Sequence, residues 1–279
     1  MCKDVRTCWF RFLRREMNMK HLKQVVAFFL LFSFLISLSY AEPLDDSVLL
    51  SYYDDSVFFG DSRMESFNRY VSGLRQEDAS FMAKTKIVPT GSISLYAASR
   101  TYPSGEFLFY YHGRQLTMYG IADRIQPKKI FIMLGLNDPV AIKIEKALTW
   151  VEDILRKMGE TVPDAEVCFL SETPVTENFD SEKKVEGYQT LLDQYNDRLK
   201  ETCESNGARY INIAAALKGE DNFLKLDYSN DKVCHLSDEG NAALLQALKD
   251  YVQEQYDLGL WTPAAPEGTE SAPAEETAR

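Results

Sequence analysis

The chain has 279 residues, 45% hydrophobic and 26% charged, an ordinary globular composition with enough apolar side chains for a sizeable core. Its formal net charge is −11, and because residues 1–41 hold seven Lys/Arg against two Asp/Glu, the remainder carries 24 basic against 40 acidic residues. So acidic a body repels polyphosphate and argues against nucleic acid as a partner.

Residues 25–38 form an apolar run, preceded by Lys20, His21 and Lys23 and followed by Ser39-Tyr40-Ala41. A basic flank, a short apolar stretch and small residues at its end predict a secretory signal cleaved after Ala41. The run is shorter than the roughly 20 apolar residues of a membrane span. Its extension through Leu38 to Ala41 leaves an uncleaved N-terminal anchor as the second reading, and only in that case is a membrane a partner. Met17 or Met19 is the more usual kind of start for such a leader. The expected location is extracytoplasmic, secreted or associated with the cell envelope, and fold reasoning begins near Glu42.

Two of the five cysteines, Cys2 and Cys8, precede the signal, which leaves Cys168, Cys203 and Cys234 in the exported body. Three thiols allow one disulfide plus a free cysteine, or none. No CxxC or Cys/His spacing of a zinc site occurs, so neither a structural metal nor a cofactor is expected.

Residues 43–55 read as a polar lead-in whose Leu49, Leu50, Tyr52 and Tyr53 pack against the domain. Ser56-Val57-Phe58-Phe59 then ends abruptly in Gly60-Asp61-Ser62, after which Met64, Phe67, Val71 and Leu74 recur at helical spacing. That pattern predicts a strand, a sharp turn and a helix to about Leu74. Such a turn exposes Ser62 at the mouth of a sheet beside free backbone N–H groups, where a serine acts as nucleophile or simply as a helix cap. Residues 85–89 make a second strand running into Thr90-Gly91. Residues 101–113 read as a hairpin-like excursion around Pro103-Ser104-Gly105 with an aromatic strand, suited to core packing or to a cleft wall. A helix through Leu116, Tyr119, Ala122 and Ile125 stops before Pro127.

Residues 129–134, continuously apolar from Ile130 on, read as a strand buried on both faces and close in Gly135-Leu136-Asn137-Asp138. A helix through Ile142, Leu148, Val151, Leu155 and Met158 follows. Residues 165–170 form another buried strand, ending in Ser171-Glu172-Thr173-Pro174. One long helix is expected over residues 182–205, stopped by Asn206-Gly207, then a last strand over residues 209–213 and a final helix from an N-cap at Ser237 to about Tyr256. Alternating strands and helices with long crossovers define an α/β fold, a three-layer, doubly wound, mostly parallel sheet of about five strands, flavodoxin-like. One domain spans residues 42–261; residues 262–279 form an acidic Pro/Ala/Glu tail that buries too little to fold.

An activated serine needs a base, and the exported body offers only His112 and His235. His235 lies in a loop between the last strand and the last helix, on the rim where Ser62 is expected; His112 reads as structural. Cys234 is set aside as the nucleophile for His235, because neighbours in an extended loop point to different sides.

Gly60-Asp61-Ser62 after the first strand, Gly91 after the second, Gly135-Leu136-Asn137-Asp138 after the third, and a histidine loop before the C-terminal helix resemble the four sequence blocks of the SGNH hydrolases, or GDSL esterase/lipase family. The likeness runs over roughly residues 57–256. Gly60-x-Ser62-x-Met64 lacks the second glycine of the G-x-S-x-G elbow, so the chain does not resemble a standard α/β-hydrolase. The resemblance implies that Ser62 attacks an ester carbonyl, that His235 shuttles the proton, and that the Ser62 and Gly91 N–H groups and the Asn137 amide hold the oxyanion, each donor contributing on the order of 3 kcal/mol. The family's aspartate usually stands three residues before the histidine, where this chain has Lys232. Three arrangements are open: a one-residue bulge brings Asp231 to His235, a backbone carbonyl orients His235 in a dyad, or the site is degenerate. The first is favoured because a carboxylate best stabilises an imidazolium. Arg63, where the family has an aliphatic residue, reads as a solvated side chain in the first helical turn, or as a contact to a substrate carboxylate or phosphate. The implied activity is hydrolysis of a small acyl ester, for example acetyl, on a small molecule or envelope glycan. The alternatives on the same fold are an O-acyltransferase and a non-catalytic glycan-binding or envelope-assembly protein. Specificity is expected to reside in residues 101–113 and 172–182.

Overall fold

The computed structural model describes residues 42–100, 108–138 and 143–264. The expected leader, the Pro103-Ser104-Gly105 turn, Ile142 and most of the expected tail lie outside the described residues. Five parallel strands form the central sheet: β1 (Ser56–Gly60), β2 (Lys86–Pro89), β5 (Lys129–Met133), β6 (Glu166–Leu170) and β7 (Arg209–Ile211), in the order β2-β1-β5-β6-β7. A five-stranded, doubly wound parallel sheet is the fold class expected from the sequence. The chain leaves β1 first toward β2 and later returns on the other side as β5, so the strand order reverses between β1 and β5. Ligands on such sheets bind at that reversal, beyond the carboxyl ends of the strands.

The alternation of strand side chains sorts the core into two layers. Val57, Phe59, Ile130, Ile132 and Phe169 face α4 (Met118–Ile125), α5 (Ile144–Thr161) and α7 (Tyr188–Ser205). Phe58, Phe131, Met133, Cys168 and Leu170 face α1 (Asp46–Ser51), α2 (Ser62–Glu77) and α9 (Asp238–Asp257). Phe58 and Phe131 stack at 4.5 Å across the β1–β5 pair. Strands whose two faces are both covered need no polar alternation, which explains the unbroken apolar runs in the sequence.

Several expectations change. The lead-in forms α1, whose Leu49 and Leu50 are buried against the α9 layer. The aromatic excursion is an antiparallel hairpin, β3 (Phe109–Tyr111) and β4 (Arg114–Leu116), turning at His112-Gly113, both with positive φ. Leu116 therefore ends a strand, and α4 starts at Met118 behind a Thr117 cap that accepts from the Gly120 N–H at 3.1 Å. The single helix expected over residues 182–205 is two: α6 (Phe179–Lys183) and α7, separated by Lys184 and Gly187 in left-handed conformation. The carboxylate of Asp180 accepts from the N–H groups of Gly187 at 2.6 Å and Tyr188 at 3.2 Å, so α7 is capped from the preceding helix. The remaining short helices are α3 (Leu95–Ala98) and α8 (Ala214–Leu217). Among the described residues no helix is long and apolar enough to cross a membrane.

Candidate active site

The sharp turn after β1 has a steric cause. A Cβ on Gly60 would lie 2.6 Å from Met64 Cβ and 3.0 Å from Met133 O, so only glycine lets α2 start this close to β5. Asp61 caps α2 by accepting from the Arg63 N–H at 3.0 Å, and Ser62 is its first residue. Ser62 Oγ lies 2.9 Å from His235 Nε2.

His235 sits on a loop tied at its neck by the Asn230 N–H to His235 O bond and the Ser237 N–H to Tyr228 O bond. Within it Asp231 folds back. Its Oδ1 accepts from Ser229 Oγ at 2.9 Å and from the N–H groups of Val233, Cys234 and His235 at 2.8, 2.9 and 3.2 Å. That leaves Oδ2 for His235 Nδ1, at 2.6 Å. Lys232, at the position where the family usually has its aspartate, is left-handed (φ 59°), and its ammonium donates outward to Leu226 O at 2.7 Å. The left-handed turn shortens the chain path between Asp231 and His235, and this brings the earlier carboxylate to the imidazole. Burial raises the Asp231 carboxyl, but the donors from His235, Val233, Cys234 and Ser229 outweigh it and hold the group well below the usual carboxylate range. His235 is pushed up to about 9, first by the Cys234 sulfur and then by Asp231, against partial burial.

Cys234 departs from the sequence reading. The loop is not extended, and Sγ lies 3.9 Å from His235 Nδ1, on the far side of the ring from Ser62. All three cysteines of the body are free thiols and buried.

Asn137 stands exposed after β5, its amide nitrogen 3.2 Å from Asp61 Oδ2 and 3.0 Å from Ile93 O. The predicted oxyanion donor is thus tied both to the nucleophile turn and to the segment after β2. Gly91 lies in that segment beside Glu65, whose Oε1 is 3.2 Å from where a Gly91 Cβ would stand. Gly135 has φ 154° and faces the Tyr195 ring, 2.6 Å from the position of its absent Cβ. This close approach fixes how the loop leaves β5. Asp138 holds the same loop to α3, accepting from the N–H groups of Leu95 at 2.5 Å and Tyr96 at 3.3 Å. Burial raises its carboxyl to about 6. His112 lies in the β3–β4 turn against Tyr111, and the structure does not bring it to Ser62.

Arg63 overturns both of its sequence readings: it is neither solvated nor open to substrate. Its side chain is fully buried. Nε and Nη2 reach Asp61 at 3.0 and 2.7 Å, Nη1 donates to Thr173 Oγ1 at 3.1 Å, and Nη2 also pairs with Glu172 Oε2. Two acids just past the carboxyl ends of β1 and β6 supply the counter-charge that the first helical turn does not. Asp61 and Glu172 outweigh burial and hold Arg63 protonated. Glu172 is the residue the sequence reading missed. Its Oε2 also accepts the Leu136 N–H at 2.9 Å, next to Asn137, while buried Oε1 has no partner. A glutamate directly behind a buried strand is the only sequence signal it gave.

Burial pushes Glu172 up, Arg63 pulls it down and Asp61 pushes it up again, to about 7. A carboxyl with a raised folded-state pKa stabilises the fold fully below its unfolded value and loses that contribution as pH rises through about 7. The expected result is a melting temperature that falls between about pH 5 and pH 8 more steeply in the parent than in Glu172→Gln. Parallel slopes in thermal melts of the two proteins would exclude a proton on Glu172.

A model of the GDSL-like lipase/acylhydrolase family matches residues 58–243, and the chain belongs to that family. It is accordingly a hydrolase acting on ester bonds. Solved structures of similar fold include a putative platelet activating factor from Streptococcus pneumonia, at 20% identity and TM-score 0.51, covering 82% of this chain and 99% of that one. A GDSL-like lipase from Bacteroides thetaiotaomicron aligns at 14% identity and TM-score 0.52, covering 79% and 95%. Axe2, an acetylxylan esterase from Geobacillus stearothermophilus, aligns at 14% identity and TM-score 0.51, covering 71% and 93%. No curated protein sequence matches the chain.

Proposed function

We propose that the protein is an exported serine esterase that removes a small acyl group, such as acetyl, from an envelope glycan or a related small ester, with Ser62, His235 and Asp231 as its catalytic residues. The observation that carries this reading is the continuous relay from Ser62 Oγ to His235 Nε2 at 2.9 Å and from Nδ1 to Asp231 Oδ2 at 2.6 Å. Ser62 Oγ attacks the ester carbonyl while Nε2 takes its proton. The Asp231 carboxylate holds Nδ1–H and stabilises the imidazolium so formed. The Ser62 and Gly91 N–H groups and the Asn137 amide receive the developing oxyanion, which takes the place of one of the two oxygens now facing that amide. Nε2 returns the proton to the leaving alcohol, and water activated by the same imidazole clears the acyl-enzyme.

Export rests on the basic flank, apolar run and small residues before Glu42. The acidic body suits a neutral glycan or small ester better than a polyanion. The acetylxylan esterase of similar fold lends support to an acetylated sugar. The test offers the purified protein a fluorophosphonate and p-nitrophenyl esters of increasing chain length, beside Ser62→Ala. Stoichiometric labelling of Ser62 and fastest release from acetate are expected. Equal rates in parent and variant would sink the reading, and acetate appearing on an added acceptor sugar would make the protein an acyltransferase.

A further inference from the structure

The histidine loop carries more donor chemistry than a proton relay uses. A carboxylate oxygen of Asp231, Sγ of Cys234 and Nδ1 of His235 lie within 4.8 Å of one another, with Sγ 3.9 Å from Nδ1. Ligand bonds to zinc of about 2.0 Å for N and O and about 2.3 Å for S place neighbouring ligands of a tetrahedral ion roughly 3.3–3.7 Å apart. Shifts of about an ångström therefore close these three atoms around one ion. Asp231 Oδ1 is held by four donors, so the loop geometry does not depend on Oδ2, which is free to change partner. The Asp231 and His235 side chains are 34% and 40% exposed, which gives an ion and a water as fourth ligand a way in, while buried Cys234 closes the inner side.

We propose that Asp231, Cys234 and His235 form an inhibitory site for a thiophilic divalent cation such as zinc. A thiolate, an imidazole and a carboxylate together select zinc or cadmium over magnesium or calcium. The cation forms bonds to Sγ, Nδ1 and a carboxylate oxygen; the Sγ–H proton passes to solvent, and the imidazole's single proton moves from Nδ1 to Nε2, which leaves a neutral imidazole as the ligand. The imidazole then has no Nδ1–H for Asp231 to hold and cannot become the imidazolium that proton transfer from Ser62 requires. Binding itself stands on the loop geometry; only the inhibition rests on the proposed esterase reading.

The test adds cadmium to the full chain and follows ultraviolet thiolate-to-cadmium charge transfer, and titrates zinc against ester hydrolysis. Parent protein is expected to show the band with one equivalent of cadmium and to lose hydrolysis with zinc. Cys234→Ser and Cys234→Ala are expected to lose the band, and zinc half-inhibition is expected to need at least about tenfold more metal, since loss of even an outer-sphere partner costs 10–100-fold. Asp231→Asn, which keeps the thiol, is expected to keep the band with weakened affinity. Absence of a Cys234-dependent band overturns the proposal, as does zinc inhibition of equal strength in parent and both Cys234 variants. A Cys234-dependent band in a protein without esterase activity sustains the binding site and sinks the esterase reading instead.

Discussion

Asp231→Asn is expected to lower kcat for ester hydrolysis by about 10³–10⁴-fold with little change in KM, the size of effect seen when a triad carboxylate becomes an amide. Asn keeps an oxygen for the four donors now held by Oδ1, so the loop keeps its shape and the loss falls on the proton relay. The amide cannot balance the positive charge of an imidazolium, and its NH₂ group favours the tautomer with the proton on Nε2, which is unable to accept from Ser62. A second variant separates this position from the family's usual one. In Asp231→Ala/Lys232→Asp the carboxylate is at the common spacing, yet the residue 232 side chain leaves a left-handed backbone and points toward Leu226 O. It should not restore hydrolysis. Recovery to within tenfold of the parent rate, in steady-state kinetics on protein with an unchanged melting profile, would falsify the assignment of Asp231.

What could be read in the sequence, and what could not, follows from where the stabilising contacts come from. The inner strands were legible because burial on both faces removes the polar alternation, leaving unbroken runs at Val57 to Phe59 and Ile130 to Leu134. The last helix was legible because Ser237 caps it locally, accepting from the Gly240 N–H. The break between α6 and α7 was hidden because the apolar spacing continues through it. Phe179, Val185, Tyr188 and Leu192 all pack into one small cluster with Leu136 and Cys234, while the cap comes from Asp180, seven residues before the glycine it holds. Helix α1 was missed for a related reason: six residues hold a helix only through the tertiary burial of Leu49 and Leu50.

At the site the same division holds. The rim positions of Ser62, Gly91 and Asn137 were legible from local turn chemistry at the ends of β1, β2 and β5, and that of His235 from a loop before a capped helix. The carboxylate partner was legible only as a choice among alternatives, since it depends on one left-handed residue, Lys232. The environment of Arg63 was not legible at all. Its partner Glu172 is 109 residues away, and no local pattern distinguishes a buried ion pair from a solvated arginine.

That buried pair makes the largest stability prediction. Arg63→Leu restores the aliphatic residue typical of the family, yet it leaves Asp61 and Glu172 facing each other without a counter-charge in a site with no solvent exposure. Removing one partner of a buried pair typically costs about 3–5 kcal/mol, because the other charge stays desolvated. In a domain of this size each kcal/mol moves the melting temperature by about 2–4 °C, so a fall of roughly 10 °C or more is expected. Replacing the pair together by apolar residues of similar volume is often neutral. Arg63→Met/Glu172→Met, which removes one of the two stranded carboxylates, should therefore melt above Arg63→Leu but below the parent, because Asp61 stays buried without its counter-charge. The double variant also frees the Leu136 N–H and weakens the hold on the loop bearing Asn137, so its kcat should fall even where its stability recovers. Thermal melts of parent, single and double variants read the first effect and initial rates the second. If the double variant melts lower than Arg63→Leu, Glu172 contributes to the fold independently of Arg63, and the uncompensated charge is not what the single substitution exposes.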